Sequence, residues 1–197
     1  MTANKIFFGI TGQTGSGKSY VSDLFRKNGV TVYDGDKIGH DVMEAGKPCL
    51  LELCRHFGEE ILAKDGSLIR KNLAKLVFSD PEKLCILNKI SHNYIKKEII
   101  SQLENCTTKA AAIDGAVIIG SEIEPMCSFL VGVVAPAEMR LKRIISRDGI
   151  SHEAALERMN AQPDDEFYRK RCKYIIENDL TTNSEDMVRH ILEKELS

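Results

Sequence analysis

Residues 5–20, KIFFGITGQTGSGKSY, decide how the rest of the chain is read. The opening KIFFGI is apolar without polar alternation, the pattern of a strand buried on both faces. It runs straight into Gly12-Gln13-Thr14-Gly15-Ser16-Gly17-Lys18-Ser19, which satisfies G-x-x-x-x-G-K-[ST]. Glycines let the backbone curl so that several N–H groups converge on one anion. A helix starting near Gly17 adds its positive end. Lys18 supplies a point charge for the β- and γ-phosphates, and Ser19 a hydroxyl for Mg²⁺. A chance match would stand in random context. This one follows a strand and opens a helix, so the expected ligand is a nucleoside triphosphate with Mg²⁺.

Outward from the loop, a helix is predicted from Gly17 to about Lys27, ended by Gly29, and a second strand at 30–33 leads into Asp34-Gly35-Asp36. Residues 37–105 are mostly helical in texture, interrupted at 58–70 by an Asp-Gly signal that fits a turn between helices or a small hairpin. Further strands are predicted at 109–114, 129–134 and 173–176, with helices at 136–147, 151–159 (Ser151 as N-cap) and about 184–195. Strands alternating with helices imply α/β architecture, a parallel sheet with helices on both faces. The stretch between the second and third strands is too long for one crossover helix and reads as an inserted helical subdomain.

The chain has 197 residues, 43% hydrophobic and 28% charged, with net charge −2. That balance fits one soluble α/β domain and gives no general pull toward nucleic acid or anionic membrane. No apolar run approaches a membrane helix, and the N-terminus lacks the pattern of a signal peptide. A cytoplasmic location is expected, with neither nucleic acid nor membrane as partner. The cysteines, at 49, 54, 85, 106, 127 and 172, form no C-x-x-C pair and read as small hydrophobes.

The loop alone does not separate a nucleotide that is spent from one that is sensed. A guanine switch is disfavoured, because the nearest N-K-x-D string, Asn88-Lys89-Ile90-Ser91, lacks the aspartate. A small-molecule kinase fits better. Asp34 and Asp36 stand at the carboxyl end of the second strand, where open α/β sheets bind ligands; a carboxylate there can orient or deprotonate an acceptor hydroxyl, or cap a helix. Arg140, Arg143 and Arg147 fall at i, i+3 and i+7, on one helix face, as a cationic lid over a transferring phosphoryl group would need. Asp114 ends an apolar run and reads either as an outer-shell Mg²⁺ carboxylate or as a turn aspartate before Gly115.

Taken together, these segments resemble the dephospho-CoA kinase family. The loop, VYDGDKIGHDVMEAG at 32–46, the middle region at 56–95, RLKRIISRDGISHEAALERMNAQ at 140–162 and KYIIEND at 173–179 are all similar to that family's pattern. The resemblance implies a P-loop kinase, a three-layer α/β/α sandwich with a parallel sheet, a helical substrate-binding insertion and a lid. Its boundaries would be a core of 1–36, 106–140 and 170–197, an acceptor-binding insertion of about 37–105 and a lid of about 141–169. It implies transfer of the γ-phosphate of ATP to the 3′-hydroxyl of dephospho-CoA by a monomer or small homo-oligomer. Lys18, Asp36 and Arg143 would be catalytic, with Asp36 the base or hydroxyl-orienting carboxylate and Arg143 the lid cation on the transferred phosphoryl group, Arg147 being a second candidate for that role. Residues 12–19, Arg147 and Asn178 would bind the nucleotide, Ser19 the metal, and Asp34, Arg70 and His92 the acceptor. The chain departs from the pattern at His92-Asn93, where the family has His-Pro, at Asp114–Gly120, which lacks the family's proline and glutamate, and at Cys172-Lys173. Those departures keep two other readings open: a P-loop kinase for another nucleoside, nucleotide or small metabolite, or a non-catalytic nucleotide-binding protein.

Overall fold

The computed structural model describes residues 5–116, 118–179 and 181–197. Residues 1–4 and Val117, the latter within the segment expected to differ in acceptor recognition, lie outside the described residues. In chain order the elements are β1 (Ile6–Gly12), α1 (Lys18–Lys27), β2 (Thr31–Asp34), α2 (Gly35–Asp41), α3 (Pro48–Phe57), α4 (Arg70–Phe78), α5 (Pro81–Glu104), β3 (Ala110–Asp114), β4 (Leu130–Val134), α6 (Ala137–Asp148), α7 (His152–Asn160), α8 (Asp165–Arg171), β5 (Tyr174–Glu177) and α9 (Ser184–Leu196). They form two compact units, one joining the chain up to Asp34 with Cys106–Ser197, the other Gly35–Asn105.

In the first unit the strands make one parallel sheet in the order β2-β3-β1-β4-β5. The apolar run of β1 takes the centre, with residues 7–12 all buried, as a strand covered on both faces must be. Phe8, Ile10, Ala110, Ala112, Val131, Val133 and Ile176 face one side and pack on Val21, Leu24 and Phe25 of α1 and Val188, Ile191 and Leu192 of α9. Phe8 anchors this layer, its ring 4.8 Å from that of Phe129 and 5.0 Å from that of Phe25. Helix α8 packs against β4 and β5. A Cβ on Gly132 of β4 would meet Cys172 Sγ, just past that helix, at 3.1 Å, which keeps the strand and helix close. Because all strands run the same way, their carboxyl ends share one edge, and the register sets Asp34 and Ile10 opposite Asp114.

Helix α8 has no counterpart in the sequence prediction, which leaves 160–172 without structure. The local signal is present: Pro163 precedes Asp164, whose carboxylate caps the Phe167 N–H at 2.9 Å, with Asp165 and Glu166 in the first turn and three basic residues in the last. Ser151 caps α7 as expected, accepting from Ala154 N at 3.2 Å.

The second unit is helical. Helix α5, the longest, starts at Asp80, whose carboxylate accepts from Glu82 N and Lys83 N, with Pro81 at its first position. It packs against α2, α3 and α4. The 58–70 stretch closes as a small hairpin, with Leu62 bridged antiparallel to Leu68 around the Asp65-Gly66 turn and Ala63 N bonded to Ser67 O at 2.8 Å.

Candidate active site

Strand β1 delivers the chain to Gly12, where a side chain has no room: a Cβ would lie 2.3 Å from the Val133 carbonyl oxygen. The loop then passes through Gly15 and Gly17 in left-handed backbone, at φ 76° and 89°, which glycine adopts without steric cost. Gly15 also lies against helix α6, where a Cβ would sit 2.7 Å from Arg140 O.

Each carbonyl of the loop's middle is held from outside. Arg140 Nε donates to Thr14 O at 3.1 Å and Arg143 Nη1 to Gly15 O at 3.2 Å. Ser16 O accepts from the same Nη1 at 3.1 Å and from Asn178 Nδ2 at 2.8 Å. A planar trans peptide points its N–H opposite its C=O. The N–H groups of Gly15 and Gly17 therefore face away from these donors, while Ser16 N closes a turn on Gln13 O at 3.2 Å. Among the described residues the N–H groups of Gly15, Gly17, Lys18 and Ser19 meet no protein acceptor, and α1 has no side-chain N-cap. Unsatisfied donors at the positive end of a helix constitute an anion site.

Lys18 is ion-paired through Nζ with Asp114 Oδ1, and Ser22 Oγ donates to Asp114 Oδ2 at 2.7 Å. The pair is largely buried, with 18% and 11% of the two side chains exposed. Of the two sequence readings of Asp114, a plain turn residue does not describe a carboxylate with both oxygens engaged by the helix that follows the loop. Ser19 is exposed at the start of α1. An exposed hydroxyl, with phosphates and water completing the shell, suits Mg²⁺, a hard cation that keeps several waters and rarely has an all-protein cage. No cluster of three or more metal-ligating side chains occurs among the described residues.

The arginine face expected from i, i+3, i+7 spacing turns to the loop, where two of its members donate to backbone carbonyls. Arg143, expected on the transferred phosphoryl group, has its Nη atoms committed to the backbone oxygens of Gly15, Ser16 and Asn178. Helix α6 carries it behind the loop, where three carbonyls converge and need donors. Arg140, only 5% exposed, has the same orientation; burial lowers its pKa and the charge of Asp165 opposes that shift. Arg147 is more open: it pairs with Asp148 at 2.7 Å and reaches Thr14 Oγ1 with Nη2 at 3.4 Å.

Beside the loop lies a cleft of about 560 Å³ lined by Gly17, Tyr20, Arg143, Asn178, Thr181 and Asn183, among others. Asn178 thus borders the cleft, although its side-chain amide nitrogen is spent on the loop. Asp179, absent from the sequence reading, shapes the cleft wall: it accepts from Thr182 N, Thr181 N and Thr181 Oγ1, which hold its pKa down at about 2. An Asp two and three residues before Thr-Thr is the sequence signature of such a turn.

Asp34 ends β2 and is exposed. The other predicted residues belong to the helical unit. Asp36 is exposed in the first turn of α2, two residues along the chain from Asp34. Arg70 is exposed at the start of α4, and His92 is half-buried on α5.

The sequence model of the family described as Dephospho-CoA kinase matches residues 6–184. A Dephospho-CoA kinase of Idiomarina loihiensis is 34% identical over 171 residues, covering 87% of this chain and 85% of that one. A crystal structure from Thermus thermophilus superposes with a TM-score of 0.84 at 31% identity, covering 98% of this chain and 99% of that one. The Dephospho-CoA kinase from Campylobacter jejuni does so with a TM-score of 0.65 at 27% identity, covering 97% and 96%.

Proposed function

We propose that this chain, which belongs to the dephospho-CoA kinase family, transfers the γ-phosphate of ATP to the 3′-hydroxyl of dephospho-CoA in the last step of coenzyme A synthesis. The observation that carries the reading is the family match across residues 6–184 on a chain whose phosphate loop has its carbonyls tethered outward and its amides free.

In this reading the amides of Gly15, Gly17, Lys18 and Ser19 bind the β-phosphate, and Lys18 leaves Asp114 for the β- and γ-phosphate oxygens. Ser19 would hold Mg²⁺, with Asp114 as its supporting carboxylate, and the ion would supply charge neutralisation on the phosphate oxygens. Gln13, Thr14 and Ser16 complete the loop. Arg147, rather than Arg143, supplies the lid cation, since it alone of the three arginines keeps an exposed guanidinium at the loop; Arg143 and Asn178 serve the nucleotide by bracing the loop. Asp36 accepts the proton of the acceptor hydroxyl as its oxygen bonds to the γ-phosphorus and the bridging oxygen leaves with ADP. Asp34, Arg70 and His92 are assigned to acceptor binding by the resemblance. No helix among the described residues is long and apolar enough to cross a membrane.

The test is product analysis after incubation with ATP, Mg²⁺ and dephospho-CoA. The expected product is the 3′-phosphorylated coenzyme. ATP binding without that product would sink the reading, and turnover of a different acceptor would favour the kinase of another metabolite.

A further inference from the structure

Behind the phosphate loop, on the side away from its free amides, a second cleft of about 620 Å³ runs between the start of α6 and the segment joining α7 to α8. Its floor is a contact between the loop and the segment that follows α7. Thr14 N donates to Gln162 Oε1 at 2.8 Å, and next to it Gln13 Nε2 donates to Pro163 O at 2.7 Å. We propose that Gln162 is a positioning residue for the phosphate loop, holding the Gln13–Thr14 peptide in the orientation on which the phosphate-binding amides depend. The proposal rests on the reading that this loop holds nucleotide phosphates.

The Gln13–Thr14 peptide is fixed at both polar ends: its N–H by Gln162, its carbonyl by Ser16 N at 3.2 Å. The next peptide is fixed by Arg140 on Thr14 O, and its N–H is the free Gly15 donor. Releasing Thr14 N lets the first peptide rotate, which draws Gln13 O off Ser16 N and loosens the turn that aims Gly15 N. Gln162 thus controls the loop from about its first turn, as Arg143 and Asn178 control it from its last.

The residue type fits the task. The acceptor must arrive from the carboxyl end of α7, which stops at Asn160, and glutamine has the reach to do so ahead of Pro163. The segment cannot drift, because Pro163 is held by Gln13 and Asp164 caps α8. The acceptor must also be neutral. A carboxylate would satisfy Thr14 N equally well yet place a negative charge beside a site built for anions. Gln162 lies between α7 and α8, over one hundred and forty residues from Thr14, so only the folded chain joins them.

The experiment compares ADP, whose β-phosphate occupies the loop, with AMP, whose phosphate does not need it. Affinities of the full chain for both are measured by calorimetry for wild type and Gln162→Met, which keeps length and volume but removes the acceptor. Loss of one hydrogen bond of ordinary strength predicts ADP binding about fivefold weaker, with AMP within about twofold of wild type. In turnover the loss should fall on KM for ATP and leave kcat within about twofold. Equal loss for ADP and AMP, or no loss for either, overturns the proposal, since a purely structural role would not separate them. If the Met variant does not fold, Gln162→Asn, which withdraws the acceptor by one methylene, is read in the same way. A wild-type chain that does not bind ADP overturns the phosphate-loop reading itself.

Discussion

Replacing Asp114 with asparagine removes one charge while keeping the side chain's shape. In the wild type the two carboxylate oxygens hold Lys18 Nζ and Ser22 Oγ. Asparagine can still meet Ser22, so the change isolates the pair with Lys18. Two unit charges about 4 Å apart attract by about 4 kcal/mol at an effective dielectric near 20. Desolvation offsets part of that, and exposed pairs are worth about 0–1 kcal/mol while breaking a buried one costs about 3–5 kcal/mol. With 18% and 11% of the side chains exposed, the pair sits between these limits, at about 2 kcal/mol. For a chain of this size that lowers the unliganded melting temperature by about 4–8 °C. Nucleotide binding should move in the opposite direction. A triphosphate must draw Lys18 away from Asp114, so the variant should bind ADP about fivefold more tightly in EDTA, where no metal compensates. With Mg²⁺ present the gain should shrink or reverse, because the carboxylate assigned to support the ion is gone. Thermal denaturation and calorimetry with and without the metal read both effects. An unchanged melting temperature would mean the pair contributes nothing, and weaker ADP binding in EDTA would mean Asp114 presents Lys18 to the phosphates rather than restraining it.

Asp36→Asn should reduce turnover at least ~100-fold, the scale of a general base, with ADP affinity within about twofold; a smaller loss in a steady-state assay would remove Asp36 from the proton transfer. Gly15→Ala places a Cβ 2.7 Å from Arg140 O at φ 76°, where neither backbone can yield cheaply; a cost of about 2 kcal/mol or more and at least tenfold weaker ADP binding follow. Burial alone would raise the Cys106 thiol, but hydrogen bonds from Thr108, Thr31 and Tyr33 outweigh it and bring the pKa down to about 7. In a chain carrying Cys54→Ala and Cys85→Ala, thiolate absorbance in the ultraviolet should therefore rise through pH 7 and be lost on adding Cys106→Ala, since burial pushes Cys127 up to about 12 and Cys49 and Cys172 up to about 11.

What was legible in the sequence was local. The apolar β1 and the glycines after it encode their own strand, loop and helix, because the conformations required at Gly15 and Gly17 are ones that glycine alone adopts freely. The i, i+3, i+7 spacing of Arg140, Arg143 and Arg147 correctly places them on one face turned to the loop. It does not reveal what they touch, since Arg140 and Arg143 reach backbone carbonyls of the loop more than one hundred and twenty residues earlier, and carbonyls leave no mark in a sequence. Asp114 was ambiguous for a related reason: a strand-terminal aspartate before glycine reads as a turn until Lys18 and Ser22 are seen on its oxygens. Helix α8 was missed although Pro163-Asp164 announces it, because seven residues are too few to establish a periodicity.

The placement of Arg140 and Arg143 bears on how a glycine-rich loop can bind phosphate tightly at all. Glycines give the loop its curl but also the greatest freedom to lose on ordering, so an unbraced loop would have to be ordered at the expense of nucleotide affinity. Here the ordering is done beforehand by donors outside the loop, on Thr14 O, Gly15 O and Ser16 O. Guanidinium suits that position better than ammonium, because one planar group can serve divergent carbonyls at fixed angles and keeps its charge when half-buried. The two positive charges also remain behind the loop, where they add to the potential felt by a phosphate without competing for its oxygens. On this view the arginines on α6 divide by height along the helix. Arg140 and Arg143, on its first two turns, hold the cradle open, and Arg147, one turn further, is left to meet what enters it.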